Sequence, residues 1–543
     1  MNSAYIRFYT SMDGLSLEFR NSDCYDCLFD RIMTLYPGQN TTYREFDMQH
    51  ELDFRVSKDG ASSEYSRLSF QEYGCYTVHI PSFNETMSIW VDKPGHDYDT
   101  AAYYMLGGSL LLLVLYIIGE NLYKKYYKNK YQPLQTEETK KADDKASKRV
   151  LTIDVYRGIW LLFMIYSNFG GGWYYWWRHV AYNGTFMFCM GCSLRLSINN
   201  NLKQLYAQGY SSLKVFTKIS FKVLRRCIVF VLFCWLQNGN TNFKDARLFG
   251  VMVYFAISYF INSYIFIFRY MVNKHFPNTQ KYDLLFELVP ILICFFTNWG
   301  LSEFLPLPEG CPRGYRGPGG KGDQGKYPHC TGGANRIIDI STSILFITIH
   351  YYNHVYTGTS CKPLYNCLST DSEGVLGSLN AACITYLGSI VTYVSNYYKS
   401  LSDNKIRHLS LISWCSILGF CCLLFAGILC GFKRDGGYMP INKTLWSTSF
   451  ILYVAGLDFI MFIFVYLLVD VNKVWSGYPF QAAGMNPLIV YMIHEMCMHI
   501  MPFGYDFETK DHLHYMISQW VMGCGAWLCI ANYLRRTKTF IKI

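Results

Sequence analysis

Charge is what this 543-residue chain has least of: Asp, Glu, Lys and Arg make up 16% of it, against 51% hydrophobic residues. Soluble globular domains carry about 25% charged residues, so the deficit excludes an ordinary soluble protein and points to membrane. The net charge of +10 is not gathered into a basic patch with a recognisable binding motif, which removes nucleic acid as a partner. No internal repeat is present, which counts against a transporter built from inverted halves. No second Cys-x-x-Cys follows Cys24-x-x-Cys27, so the pair is at most a zinc half-site and no metal is expected. The opening MNSAYIRFYTSMDG lacks the apolar core of a secretory leader. An N-terminal domain in an organelle lumen needs one, so the true start is expected to be missing or misassigned.

What is abundant is apolar length. Runs of about 20 residues, as a bilayer requires, lie near 101–122, 150–170, 219–237, 248–268, 284–301, 374–396, 409–430, 447–469, 484–502 and 515–534, with a shorter run near 184–197. The expected fold is a polytopic α-helical membrane protein of about 11 transmembrane helices with a small β-rich lumenal N-terminal domain. The division reads as a lumenal domain at 1–100, a first transmembrane helix at 101–123, a disordered cytosolic linker at 124–149, and a helical bundle at 150–543 with a long lumenal loop at 302–373. Stretches such as TVHIPSF and MSIWVDK alternate apolar and polar residues, the period of a half-buried strand. With eleven spans the basic loops 123–149, 198–222, 397–408 and 535–543 all face the cytosol, as does the C-terminus. Loop 431–446, with Lys433, Arg434 and Lys443, is the exception. The lumenal side then holds the glycosylation sequons of Asn40, Asn84 and Asn442. It also holds Cys24, Cys27, Cys75, Cys311, Cys330, Cys361 and Cys367, an odd set whose disulfide pairing the sequence leaves open.

Residues 151–185 concentrate the chemistry. Asp154 and Arg157 open an apolar span, glycines stand at 170–172, and His179 sits in an aromatic cluster beyond them. An Asp and an Arg three residues apart inside a span demand polar partners within the protein. Histidine is the side chain that exchanges a proton near neutral pH. Taken on residues alone, the aromatic cluster is more simply an interfacial belt with an incidental histidine. His494-Glu495, after Asn486-Pro487 in a late span, form a second ionisable pair, with a helix-packing role as their plain alternative.

Ordered blocks run from the first third of the chain to its end: IDVYRG (153–158), SNFGGGWYYWWRH (167–179), YNG (182–184), GCPRGYRGPGGKGDQGKYPHCTGGA (310–334), EGVLGSLN (373–380), PINKTLWSTSF (440–450) and GMNPLIVYMIHE (484–495). In these the chain resembles the heparan-α-glucosaminide N-acetyltransferase family of lysosomal transmembrane acyltransferases. The resemblance implies transfer of acetyl from cytosolic acetyl-CoA to the terminal glucosamine of heparan sulfate in the lysosomal lumen, in a lipid-embedded homodimer. It makes His179 the general base, with an acetyl-histidine intermediate left open, and Asn168 a donor to the oxyanion or to the imidazole. Arg157, with Asp154, and Arg247 become candidates for binding the phosphates of CoA, Arg225 and Arg226 weaker ones. His494, Glu495 and Asn183 become candidate substrate or structural residues, and the formal sequon at Asn183 is expected to stay unmodified.

Two departures from the family matter. Only Thr185–Cys189 separate YNG from Met190-Gly191 where the family carries a longer stretch, and the apolar part of that span shrinks to about 13 residues with Arg195 near its end, too short to cross a bilayer. In ARLFGVMVYFA (246–256), Val253 and Tyr254 stand where the family has a Gln-Arg pair. A catalytically impaired relative is therefore one alternative, and a membrane transporter of the same fold another. The apolar stretch 340–353 reads as an insertion rather than a span.

Overall fold

A computed structural model describes residues 3–22, 24, 26–39, 41–48, 51–82, 85–95, 99–126, 150–168, 182–237, 249–346, 365–368, 373–398, 404–433, 437–497 and 523–539. The N-terminal strands are β1 Ser3–Thr10, β2 Leu15–Asn21, β3 Asp30–Leu35, β4 Arg44–Asp47, β5 Leu52–Lys58, β6 Ala61–Leu68, β7 Cys75–Ile80 and β8 Ser88–Lys93. They form two four-stranded sheets, ordered β4-β1-β7-β8 and β3-β2-β5-β6. Strict alternation along β1 turns Ala4, Ile6 and Phe8 inward, where they meet Leu17, Phe54, Val56 and Val78 in one core. The zinc half-site does not materialise, because Cys24 and Cys27 are joined to each other across the β2–β3 connection. Cys311 pairs with Cys330, Cys367 is also disulfide-bonded, and Cys75 is a free thiol. Asn40, Asn84, Cys361 and residues 127–149 of the linker lie outside the described residues.

Asp53 holds the edge of this sandwich together. Its carboxylate accepts from the Ser22 hydroxyl at 2.6 Å, the Arg67 N–H at 2.9 Å and the Arg20 guanidinium at 3.0 Å. Burial by itself would push the carboxyl up, but these three donors outweigh it and hold Asp53 below the usual aspartate range. A depressed carboxyl stabilises the fold above its unfolded pKa, and that contribution disappears as pH falls through the folded value. Resistance of the β domain to limited proteolysis should therefore be flat from neutral to mildly acidic pH and drop only below the ordinary aspartate range. Asp53→Asn should be weaker at neutral pH and lose that acid-dependent step.

The helices are α1 Asp99–Tyr126, α2 Leu151–Asn168, α3 Tyr182–Ala207, α4 Ser212–Gln237, α5 Val251–His275, α6 Asp283–Phe304, α7 Gly333–Phe346, α8 Val375–Tyr397, α9 Asn404–Cys430, α10 Thr448–Tyr466, α11 Phe480–Met485, α12 Pro487–Met496 and α13 Gly525–Arg536. Five helical stretches among the described residues are long and apolar enough to cross a membrane: 251–275, 277–304, 375–397, 405–430 and 448–471. The run read as one span at 484–502 is broken, since Asn486 leaves the helical region (φ −126°, ψ 47°) and Pro487 starts α12 afresh. Part of the apparent insertion at 340–353 is α7.

The third span forms a longer helix than its apolar part, yet it is not among the five stretches long and apolar enough to cross a membrane. α3 is 26 residues long, because the helix runs on through the polar Asn199–Gln204 stretch instead of stopping with the apolar residues. Arg195 does not end it. Its guanidinium makes two 2.7 Å bonds to the Glu287 carboxylate of α6, with both side chains buried, so the charge is neutralised inside the bundle. Glycines let α3 lie against α8: a Cβ on Gly191 would fall 1.9 Å from the Thr385 carbonyl oxygen, and one on Gly388 2.1 Å from that of Phe188.

The sandwich is tied to the bundle through the glycine-rich segment 319–325. The Gln324 N–H donates to the Asp26 carbonyl at 2.7 Å, the Gln324 side chain donates to the Asp26 carboxylate at 2.7 Å, and Lys321 pairs with Asp30. This defines two ends of the bundle, one carrying the β sandwich and one opposite.

Candidate active site

α2 runs between these ends and carries the residues singled out in the sequence. At the opposite end, Asp470 caps it: the Thr152 N–H and hydroxyl donate to one Asp470 oxygen at 2.9 and 2.6 Å. One turn on, Asp154 is buried, and Arg157 Nη1 lies 3.9 Å from its carboxylate while donating to the Gly484 carbonyl of α11 at 3.1 Å. Gly158 and Gly484 make this crossing close, with a Cβ on Gly484 falling 1.7 Å from the Asp154 carbonyl oxygen. Asp154 and Arg157 thus form an ion pair inside the bundle. One guanidinium N–H on Gly484 leaves Arg157 further donors at a half-buried position.

Eighteen residues of helix span roughly 27 Å, so Asn168, the last residue of α2, reaches the β-sandwich end. His179 falls in the 169–181 connection, and it lies outside the described residues, as do the side chains of Asn168 and Asn183 and all of Arg247. What the structure shows is the frame on either side. α3 starts at Tyr182, and its first turn is wedged into the bundle, since a Cβ on Gly184 would sit 2.8 Å from Val454 of α10.

Directly below that turn lies a group the sequence reading missed. Asp458 of α10 is 1% exposed and accepts a hydrogen bond from the Tyr156 hydroxyl of α2 at 2.8 Å. A carboxylate in the most apolar helix was the available signal, since intramembrane acids are expensive and keep specific partners.

A second polar cluster sits at the same end. His494 is fully buried, its Nδ1 2.7 Å from the Tyr491 carbonyl and its Nε2 3.6 Å from the Glu495 carboxylate. Gln237, at the end of α4, donates to Glu495 at 3.1 Å and lies 3.4 Å from the Tyr491 hydroxyl. The structure therefore brings His494 and Glu495 together with Gln237, a residue with no sequence signal because only folding carries α4 to α12. Nearby, Tyr254 occupies its departure from the family as a packing wedge. Its hydroxyl donates to the Gly374 carbonyl at 2.7 Å and its ring stands edge-on to Trp446 at 4.9 Å.

A mostly helical bundle with membrane-length apolar helices, a β sandwich at one end and buried polar groups inside places the chain among polytopic membrane proteins. No family model matches it. It is 31% identical over 418 residues to heparan-alpha-glucosaminide N-acetyltransferase of Homo sapiens, covering 73% of this chain and 60% of that protein. It is 32% identical over 440 residues to the enzyme of the same name from Mus musculus, covering 76% of this chain and 62% of that one. The chain is thus a relative of the heparan-alpha-glucosaminide N-acetyltransferases, and it spans about 60% of the length of these curated proteins.

Proposed function

We propose that this chain is a transmembrane N-acetyltransferase that moves acetyl from cytosolic acetyl-CoA to the terminal glucosamine of heparan sulfate in the lysosomal lumen. The observation that carries this reading is the similarity to two enzymes so named across about three quarters of the chain. The bundle supports it by presenting different chemistry at its two ends. In this reading the β-sandwich end faces the lumen, consistent with its disulfides, and the opposite end faces the cytosol.

Acetyl-CoA enters at the cytosolic end of α2, where Arg157 stands with donors to spare for a phosphate, held in place by Asp154 and Gly484. The thioester reaches the lumenal end of α2, where Asn168 donates to the carbonyl oxygen as negative charge develops on it. The glucosamine ammonium first gives one proton to lumenal water; the neutral nitrogen then attacks the carbonyl carbon, the C–S bond breaks, and His179 takes the second proton the nitrogen loses and returns it to the departing sulfur. Glu495, steadied by Gln237, offers a carboxylate at the lumenal end for the incoming ammonium group. Tyr254, where the family has arginine, favours a second reading, a relative whose acetyl transfer is slowed.

Sealed membrane vesicles with the cytosolic face outward decide between them. With acetyl-CoA outside and a glucosaminide inside, the wild-type chain should acetylate the sugar, and His179→Ala should lose most of that rate. No transfer by either protein supports the slowed relative, and equal transfer by both removes His179 from the mechanism.

A further inference from the structure

At the end of the bundle opposite the β sandwich, the close of α3, the start of α4 and the close of α5 form a basic corner. No Asp or Glu occurs from Asn199 to Gln237 or from Val251 to Tyr282. The first of these stretches holds four lysines and two arginines, the second two lysines and one arginine. The next acids along the chain, Asp283 and Glu287, are buried and already taken by Arg269 and Arg195, at 2.7 Å each.

Three ammonium groups of this corner gather on tyrosine rings instead. Lys214 Nζ lies 5.0 Å and Lys218 Nζ 3.6 Å from the centre of the Tyr210 ring. Lys274 Nζ lies 3.2 Å from the centre of the Tyr206 ring, which stacks on Tyr270. Among the described residues none of the three has a carboxylate partner. The Lys218 ammonium, with Lys214 adding to it, pulls the Tyr210 phenol below its ordinary range, so the positive field here is not cancelled. Two like charges sharing one ring repel each other, and an anion beside them removes that repulsion.

The rim of the corner is apolar. Leu213 is 75% exposed beside Lys214, and Phe276 is 64% exposed beside Lys274. Along α4, Leu213 is followed by exposed Phe221, Leu224, Ile228 and Leu232. This flank runs beside α5, one of the membrane-length helices, to which α4 is tied by the Arg226 guanidinium donating to the Tyr259 hydroxyl at 3.0 Å. An apolar flank of that length belongs against lipid, since water would solvate it poorly. A cationic tip continuous with a lipid-facing flank matches the two halves of a phospholipid, whereas a soluble anion would engage the tip alone.

We infer that the turn between α3 and α4 binds an anionic phospholipid of the adjoining leaflet. Lys214, Lys218 and Lys274 receive its headgroup phosphate, and its chains lie along Leu213 and Phe221. This surface is independent of the acetyltransferase reading.

Mixed micelles of a nonionic detergent with phosphatidylserine or phosphatidylcholine, titrated into the purified full chain, test it, with bound lipid counted by native mass spectrometry. Phosphatidylserine should bind more tightly than phosphatidylcholine and raise the thermal midpoint further. A lysine near an anionic surface contributes a factor of about five in affinity, so Lys214→Gln with Lys218→Gln should weaken phosphatidylserine binding about 25-fold. Lys203→Gln with Lys281→Gln removes the same charge from the same end without touching the Tyr210 pair, and should weaken binding less than about twofold. Lys214→Arg with Lys218→Arg should bind like the wild type. Should the first pair fail to fold, Lys274→Gln alone reads the same surface, with an expected loss of about fivefold. Equal affinity for the two lipids would overturn the inference. So would equal losses in the two glutamine pairs, which would leave only a diffuse field. Displacement of phosphatidylserine by inorganic phosphate or coenzyme A at matched ionic strength would make the corner a site for a soluble anion and overturn the lipid assignment.

Discussion

Arg195→Ala should leave almost no folded protein in the membrane. The mutation strands the Glu287 carboxylate, buried at 2% exposure between α3 and α6, without the guanidinium that makes two 2.7 Å bonds to it. Removing one member of a buried ion pair destabilises by about 3–5 kcal/mol, because the remaining charge stays desolvated. That is a large part of the roughly 5–15 kcal/mol that holds a typical domain together. Arg195 also lies over the rings of Tyr393 at 4.4 Å and Phe266 at 5.1 Å, so its loss opens packing as well. Replacing both members with apolar residues of similar volume, Arg195→Met with Glu287→Leu, should restore most of the folded yield. Fluorescence-detected size exclusion of detergent extracts measures all three proteins. A well-folded Arg195→Ala chain, or a double variant no better than the single one, would show that the pair does not hold α3 in place.

Gly191→Ala should be nearly as damaging for a different reason. The added methyl would lie 1.9 Å from the Thr385 carbonyl oxygen, and backbone cannot yield as a flexible side chain can. α3 and α8 must then separate, which opens the contact at Gly388 and Phe188 on the same seam. Overpacking a well-filled interior costs about 1–3 kcal/mol, and here the strain falls on a helix pair at the centre of the bundle. The control is in α1, where a Cβ on Gly107 or Gly108 meets nothing within 4 Å. Alanine there should leave the thermal midpoint unchanged or slightly raise it, since glycine weakens a helix by about 1 kcal/mol relative to alanine. Equal midpoints for Gly191→Ala and Gly107→Ala would show that the seam has slack.

Periodicity made the architecture legible. Alternation in β7 and β8 announced strands, and apolar length announced α5, α6, α8, α9 and α10. The third span keeps its short apolar part, as read, but its helix runs on through the polar residues that follow. In a bundle, a polar residue facing a partner extends one, as Arg195 does against Glu287. The 484–502 run did mislead: hydropathy is continuous across Asn486-Pro487, while the backbone is not. Asp154, Arg157, His494 and Glu495 stood out because charge is rare in apolar sequence. Gln237 did not, because an amide acquires meaning only from its neighbours.

By itself the sequence determined which segments are apolar, where charge interrupts them, and which relatives the chain has. These are properties of neighbours along the chain, set by hydropathy and spacing. Only the tertiary structure decided that Arg195 meets Glu287, that Asp458 lies under Tyr156, and that Gln237 meets Glu495. Each of those contacts links residues far apart in sequence, and its energy exists only once water has been excluded between them.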